Sequence, residues 1–326
     1  MNKPLSTLAF LAATIAVTPA MAETLRFAYA SNATPTVEAM QKFGELVSEK
    51  TGGEVTVTYF PDGQLGGERE LVEMVQAGSL DMTKVSGGLL ESFTPVYGVF
   101  PMPYLFDNEE HFYAAMDNAD IMGPIYEASR DTGFVGLTYY NSGARSFYTA
   151  NKPINGVADL KGLKFRVLQS PTSIKMVEML GATPVAMSQA EVYTSLQQGV
   201  LDGAENNEFA LTIARHGEVS KYMSYDMHTR IPDIMLISSA TLDRLSDEHR
   251  TAVMEAAKES TEFHKAAWGA SIDAAKKECE EQFGIEFLYP DVSEFQAAVA
   301  PMYDELKAEP EKYAVFEAIR AVAPAK

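Results

Sequence analysis

Short apolar runs alternate with longer amphipathic stretches along most of the chain, and this alternation sets the predicted elements. Residues 25–29 read as a strand; Thr34 and Pro35 then supply a cap and a first-turn proline for a helix through residue 50, with Gly52 just past its end. The unit recurs as a strand at 55–60, a helix at 68–76 closing near Gly78, and a strand at 80–85. A second series begins with 135–140. Within 163–168, Leu163, Phe165 and Val167 fall on one face of a period-two pattern and Lys164 and Arg166 on the other. Ser170-Pro171 opens a helix that ends before Gly181, and Ser188 with Glu191 makes a capping box for a helix that turns Val192 and Leu196 inward and stops at Gly199. A strand at 200–205 follows. Repeated strand–helix units predict an α/β chain of mostly parallel, doubly wound sheets in two lobes, and such sheets bind ligands at the carboxyl ends of their strands. Residues 247–283 carry Val253, Ala256, Ala257, Phe263, Ala267 and Trp268 at helical spacing among charges. At about 1.5 Å per residue, that helix is long enough to reach across both lobes.

The first 22 residues depart from this pattern: Lys3 precedes an apolar run at 5–17, and Ala20-Met21-Ala22 offers an A-x-A cleavage site. The run is shorter than the roughly 20 residues of a spanning helix, and Glu23 and Arg26 follow it closely. A secretory signal is therefore expected, with the mature chain starting at Glu23. The net charge of −19, one unit more negative once Lys3 is removed, argues against nucleic acid and anionic membranes as partners. Cys279 is the single cysteine, so no internal disulfide supports the fold, and 46% hydrophobic residues must supply the core.

The sequence contains no phosphate-binding lysine loop, no G-x-G-x-x-G, no nucleophile elbow and no H-E-x-x-H, and its five histidines lack metal-ligand spacing. Neither cofactor nor metal is expected. Arg166 stands out, near the carboxyl end of a strand and three residues before the turn Gln169-Ser170-Pro171. There its planar fork can meet a carboxylate bidentately, although a strand-edge arginine paired with a local acid fits the pattern too. Arg145 lies in the polar connection after 135–140, either as a second carboxylate contact or as a loop charge. Asn206, Asn207 and Glu208 end the strand at 200–205, where adjacent asparagines serve a turn or offer amides to carboxylates and hydroxyls. The loop from Asp62 to Glu68 carries Gly63, Gly66 and Gly67 before a helix, as a plain turn or as an approach for an anion.

The run Gly162-Leu163-Lys164-Phe165-Arg166-Val167, together with residues 191–206, resembles the solute-binding subunits of tripartite ATP-independent periplasmic (TRAP) transporters, the DctP type. Supporting stretches are 63–67, Tyr140-Asn141-Ser142-Gly143-x-Arg145 and Asp159-Leu160-Lys161-Gly162, so the likeness covers nearly the whole mature chain. It implies a periplasmic-binding-protein-like fold with a cleft between lobes and a long helix shared by both. With that fold, lobe I takes residues 23–143 plus about 232–270, and lobe II 144–231 plus about 271–326. The resemblance also implies Arg166 as the carboxylate clamp, Arg145 and Asn206 as further site residues, and membrane permease subunits as partners. Sialate-binding members carry Pro after the site asparagine and an acid after the third strand; here Asn207 and Ser86-Gly87-Gly88 stand instead. The combination of 142–148 with Glu205-Asn206-Asn207 is similar to members that bind sugar acids.

The leading expectation is thus a periplasmic receptor for a hexuronate or aldonate, with Asn207, Glu208, Glu68, Asn32 and Thr34 as hydroxyl contacts. A receptor for a C4-dicarboxylate or keto acid is the alternative in the same class, and it requires a second basic group opposite Arg166. A secreted α/β lyase and a sensor subunit that serves a signalling receptor are the readings outside it. Export is checked by mass: protein recovered from the soluble periplasm is expected to begin at Glu23, and a retained Met1 would contradict the cleavage site.

Overall fold

The computed structural model describes residues 23–31 and 33–324; the signal segment and Asn32 lie outside the described residues. Among the described residues, eleven strands form two sheets. The first contains β1 (Glu23–Tyr29), β2 (Val55–Phe60), β3 (Met82–Ser86), β4 (Phe134–Tyr140) and, from much later in the chain, β10 (Asp233–Ser238). Its order is β2-β1-β3-β10-β4. The second contains β5 (Arg145–Thr149), β6 (Lys164–Val167), β7 (Thr183–Ala186), β8 (Gly203–Asn206), β9 (Tyr222–Thr229) and β11 (Glu286–Leu288), in the order β11-β9-β5-β8-β6-β7.

Each sheet contains one strand that runs against both of its neighbours, and the remaining pairings are parallel, as the strand–helix alternation predicts. β10 is antiparallel to β3 and β4, and β5 is antiparallel to β8 and β9. The cause is the connection. Parallel neighbours need a long crossover, usually a helix. The chain instead steps from β4 to β5 through residues 141–144 and from β9 to β10 through 230–232, too short a path to reverse direction. Both steps deliver a strand into the middle of the other sheet.

The long apolar pattern folds as one helix of 36 residues, Asp247–Gln282, about 54 Å long at 1.5 Å per residue. Ser246 caps it by accepting from His249 N at 3.1 Å. Its first half lies on helix Thr34–Lys50 and on β4, where Thr261 Oγ1 donates to Tyr139 O at 2.9 Å. Its second half lies on helix Glu208–Thr212, with Trp268 edge-on to Phe209 and Cys279 buried beneath. One element thus spans both sheets.

Boundaries differ from the sequence reading in three places. Thr34 is an exposed first-turn residue, and the cap position belongs to Ala33 without any side-chain bond. The strand expected from residue 200 starts at Gly203, because Val200 N and Leu201 N both turn back to Ser195 O as the preceding helix ends. Helix Pro310–Ala321, placed with lobe II by sequence, packs on residues 95–99 and on helix Ala119–Glu127, and His111 Nε2 binds Ile319 O at 2.8 Å.

Gly203 shows how tightly the second sheet is built. A Cβ there would meet the Tyr148 carbonyl oxygen across the β5–β8 pair and come within 2.6 Å of Phe165 Cε1. Since β8 also presents Glu205 and Asn206, the strain passes to the cleft. Gly203→Ala is expected to lower stability by about 1–3 kcal/mol, as overpacking of a tight core does, and to weaken ligand binding as well. Denaturant unfolding checks the first and calorimetry the second.

Candidate functional site

The carboxyl ends of β3, β6 and β8 and the first residue of β10 converge on a cavity of about 590 Å³ between the two sheets. One wall, from the first sheet and its loops, presents Ser31, Glu68, Ser86 and Asp233; the other, from the second sheet, presents Arg145, Arg166, Gln169 and Asn206.

Arg166 reaches this cavity because β6 is only four residues long and its polar face turns inward, so the guanidinium is 4% exposed despite its charge. Its Nε donates to Met187 O at 3.0 Å. Among the described residues its two terminal amino groups have no hydrogen-bond or ion-pair partner. Burial, and then the like charge of Arg145, pulls Arg166 below the usual arginine value. A buried cation in that condition lacks only an anion.

Arg145 is in a different state. Its Nε meets Glu205 Oε2 at 2.5 Å, and its Nη2 meets Glu205 Oε1 at 2.9 Å and Glu205 O at 2.6 Å. Burial pulls Arg145 down, but the charge and hydrogen bonds of Glu205 outweigh this and hold it above the usual value. Arg145 Nη1 donates to Asn206 Oδ1 at 2.9 Å, and Asn207 N donates to the same oxygen at 2.9 Å. With its oxygen engaged, Asn206, which lines the cavity, keeps its amide nitrogen, a pure donor, for a further partner. Arg145 therefore orients Asn206, and the net cation of this wall is Arg166.

Behind Arg145, His228 joins Glu205 to Asp226: Nδ1 lies 2.6 Å from Asp226 Oδ2 and Nε2 lies 3.4 Å from Glu205 Oε2. Burial pushes His228 down, yet Asp226 and Glu205 outweigh it and lift it to about 9. Burial likewise pushes Glu205 up, but Arg145 and His228 carry it down to about 2.

The remaining expected residues separate. Glu68 lines the cavity, its Oε1 accepting from Ser86 N at 3.3 Å, and burial followed by the field of Asp233 raises its carboxyl against the pull of Lys84. Asn207 also lines the cavity, but its side chain caps helix Glu208–Thr212 through Phe209 N at 2.9 Å and holds Ser142 O at 2.6 Å. Glu208 is buried away from the cavity against the Tyr225 hydroxyl. Thr34 faces solvent on the helix outside it. Three groups were not anticipated. Lys84 Nζ binds Asp233 Oδ2 at 3.0 Å and also Ser31 Oγ, all beside Glu68. The available signal was a lysine inside the otherwise buried β3 and an aspartate heading the apolar run Ile234-Met235-Leu236-Ile237.

Two lobes, a shared helix and an enclosed site with one uncompensated cation define a solute-binding protein for a small anion. The chain belongs to the family described as bacterial extracellular solute-binding protein, family 7, the DctP type of TRAP receptors, whose pattern matches residues 27–309. It is 55% identical over 296 residues to the uncharacterized protein YiiZ of Salmonella typhimurium, covering 91% of this chain and 90% of that one. A TRAP solute-binding protein from Anaerococcus prevotii with bound D-glucuronate superposes with a TM-score of 0.89 at 39% identity, covering 92% of this chain and 98% of that one. Another, from a Bradyrhizobium strain in complex with D-galacturonate, gives 0.89 at 34% identity, covering 92% and 100%.

The two paired shifts have opposite signs in pH. Glu205, depressed to about 2, contributes stability that is full above its unfolded value and is lost as pH falls toward 2. His228, raised to about 9, contributes stability that is full below its unfolded value near 6.5 and is lost as pH rises through 9. The stability difference between the native protein and His228→Asn should therefore shrink between pH 6.5 and 9, measured by unfolding without ligand; a difference flat across that range would rule out a charged His228.

Proposed function

We infer that this chain is the periplasmic receptor of a TRAP transporter, that it captures a sugar acid, a hexuronate or an aldonate, and that it hands the ligand to a membrane permease without altering it. The observation that carries the reading is the unequal charge of the two cavity walls. Arg166 offers a bare guanidinium fork, with the Asn206 amide nearby as a further donor, to one carboxylate. The facing wall has Glu68 and Asp233, and its cation Lys84 is engaged by Asp233 and Ser31. A C4-dicarboxylate needs cations at both ends, whereas a sugar acid needs one cation and then acceptors for its hydroxyls. The hexuronates bound by the two related structures have that chemistry.

Lobe I (23–143 with about 232–270, and helix Pro310–Ala321 packed on it) and lobe II (144–231 with about 271–309) turn about the connections 141–144 and 230–232. A ligand held by Arg166 on one wall and the acids on the other bridges both sheets and so favours the closed form. The permease favours the open form and receives the ligand.

A thermal-shift panel tests the reading, because a ligand that binds only the folded state raises the apparent melting temperature. Stabilisation is expected with glucuronate, galacturonate or an aldonate, none with the neutral sugars, and little with sialate; shifts confined to succinate or malate would replace the assignment. Removing the clamp by Arg166→Ala leaves a buried anion unpaired, a loss of about 2–5 kcal/mol. At ~1.4 kcal/mol per tenfold, calorimetry should read roughly 30-fold to several-thousand-fold weaker binding. Arg166→Lys should also bind poorly, since an ammonium cannot reproduce the planar fork. Near-native affinity in folded Arg166→Ala would defeat the site.

A further inference from the structure

The two acids of the first-sheet wall come together by construction. Asp233 opens β10 directly opposite Ser86, the last residue of β3, and the Ser86 N–H donates to Glu68, the first residue of helix Glu68–Gln76. Three chain ends therefore place two carboxylates around one residue, on the same cavity surface as Arg166. Lys84, 1% exposed, sits behind them and balances one of the two charges through Asp233 Oδ2. Asp233 Oδ1 has no hydrogen-bond partner among the described residues. What a ligand meets on this wall is a set of carboxyl oxygens with a single cation between two acids.

Carboxylates accept hydroxyl protons and repel anions, so this arrangement discriminates between ligands that differ at the end held against this wall while the carboxylate meets Arg166. Hexuronates carry a hemiacetal hydroxyl there. Aldarates have the same carbon skeleton and internal hydroxyls, but with that end oxidised to a second carboxylate. We propose that Glu68 and Asp233 are the specificity-determining pair of this receptor, admitting uronates through their terminal hydroxyl and excluding aldarates by like-charge contact in a water-poor site. The proposal rests on the sugar-acid reading above and adds the class of acid that is turned away. It also gives Lys84 a second character: with Asp233 neutralised, the lysine becomes an uncompensated cation directly behind the cavity wall, the group a second carboxylate requires.

The test compares galacturonate with galactarate, and glucuronate with glucarate, by calorimetry on native protein, Asp233→Asn and Glu68→Gln. Native protein should prefer the uronate strongly. In Asp233→Asn the preference should fall by on the order of a hundredfold, the weight of a like-charge contact exchanged for an attractive one in a desolvated site. Its melting temperature without ligand should also fall, because Lys84 is left buried and unpaired, and galactarate should restore it better than galacturonate does. Glu68→Gln removes a charge without stranding a cation, so it is expected to fold normally and to lose a smaller part of the preference, which keeps the proposal testable if Asp233→Asn does not fold. Adding Lys84→Met to Asp233→Asn should abolish the gain for the aldarate. If native protein binds uronates while its preference over aldarates stays within about threefold of native in Glu68→Gln and in any folded Asp233→Asn, the pair does not set specificity and the sugar-acid reading still stands. If native protein binds neither uronate nor aldonate, the reading beneath the proposal fails first, and the proposal with it.

Discussion

The cleft depends on one buried ion pair, Arg145 with Glu205. Two guanidiniums lining the same cavity repel each other, and burial makes each more costly to keep charged. Glu205 resolves this by taking Arg145 in a two-pronged contact, and His228 and Asp226 extend the compensation behind it. Only with Arg145 neutralised can Arg166 remain a bare cation a few residues from solvent-excluding core. The same pair fixes Asn206 through its oxygen, so the orientation of one donor and the vacancy of another follow from a single interaction. Breaking one member of such a buried pair costs far more than the pair contributes as a unit, because the partner is left stranded.

Closure and recognition share the same pieces of backbone. Arg145 begins β5 immediately after the 141–144 connection, and Asp233 begins β10 immediately after 230–232. Each residue lines the cavity from the point at which the chain enters a new sheet. On the proposed closure, a ligand that engages this surface acts beside the pivots themselves, where a small displacement would rotate a whole lobe. The helix Asp247–Gln282 limits that rotation, since it is packed against elements of both sheets along its length.

Much of this was legible in the chain, for identifiable reasons. Period-two alternation placed Arg166 on the polar face of β6, capping residues fixed the starts of the helices after Ser170 and Ser188, and unbroken helical spacing marked the 36-residue helix. The parallel direction of most strands followed from the strand–helix alternation, but the reversal of β5 and β10 was not legible, because short connections between sheets leave no local trace in the residues they join. Nor was the state of Arg145: pattern left it open between a second carboxylate contact and a loop charge beside the expected clamp Arg166, and the approach of Glu205 from β8 is what neutralises it. Asn207, which lines the cavity while capping a helix, and Glu208, which does not line it, were not separable for a related reason. A polar cluster at a strand end looks the same whether it caps a helix, holds a tyrosine hydroxyl or faces a ligand.

The placement of β10 has a bearing on how the molecule reaches its working form. Among the described residues β4 pairs with no strand except β10, and β10 lies between β3 and β4, yet it is made of residues 233–238, after all but one strand of the second sheet. An amino-terminal portion emerging first from a secretion channel therefore cannot close its own sheet. It must wait, with β4 unpaired and one edge of β3 open, until nearly a hundred further residues have appeared. Such long-range pairing makes folding slow, and slowness is what a chain needs if it is to remain threadable until it has crossed a membrane. The same topology means that neither lobe is a contiguous fragment, so the two cannot be exchanged between relatives as separate cassettes; they must change together.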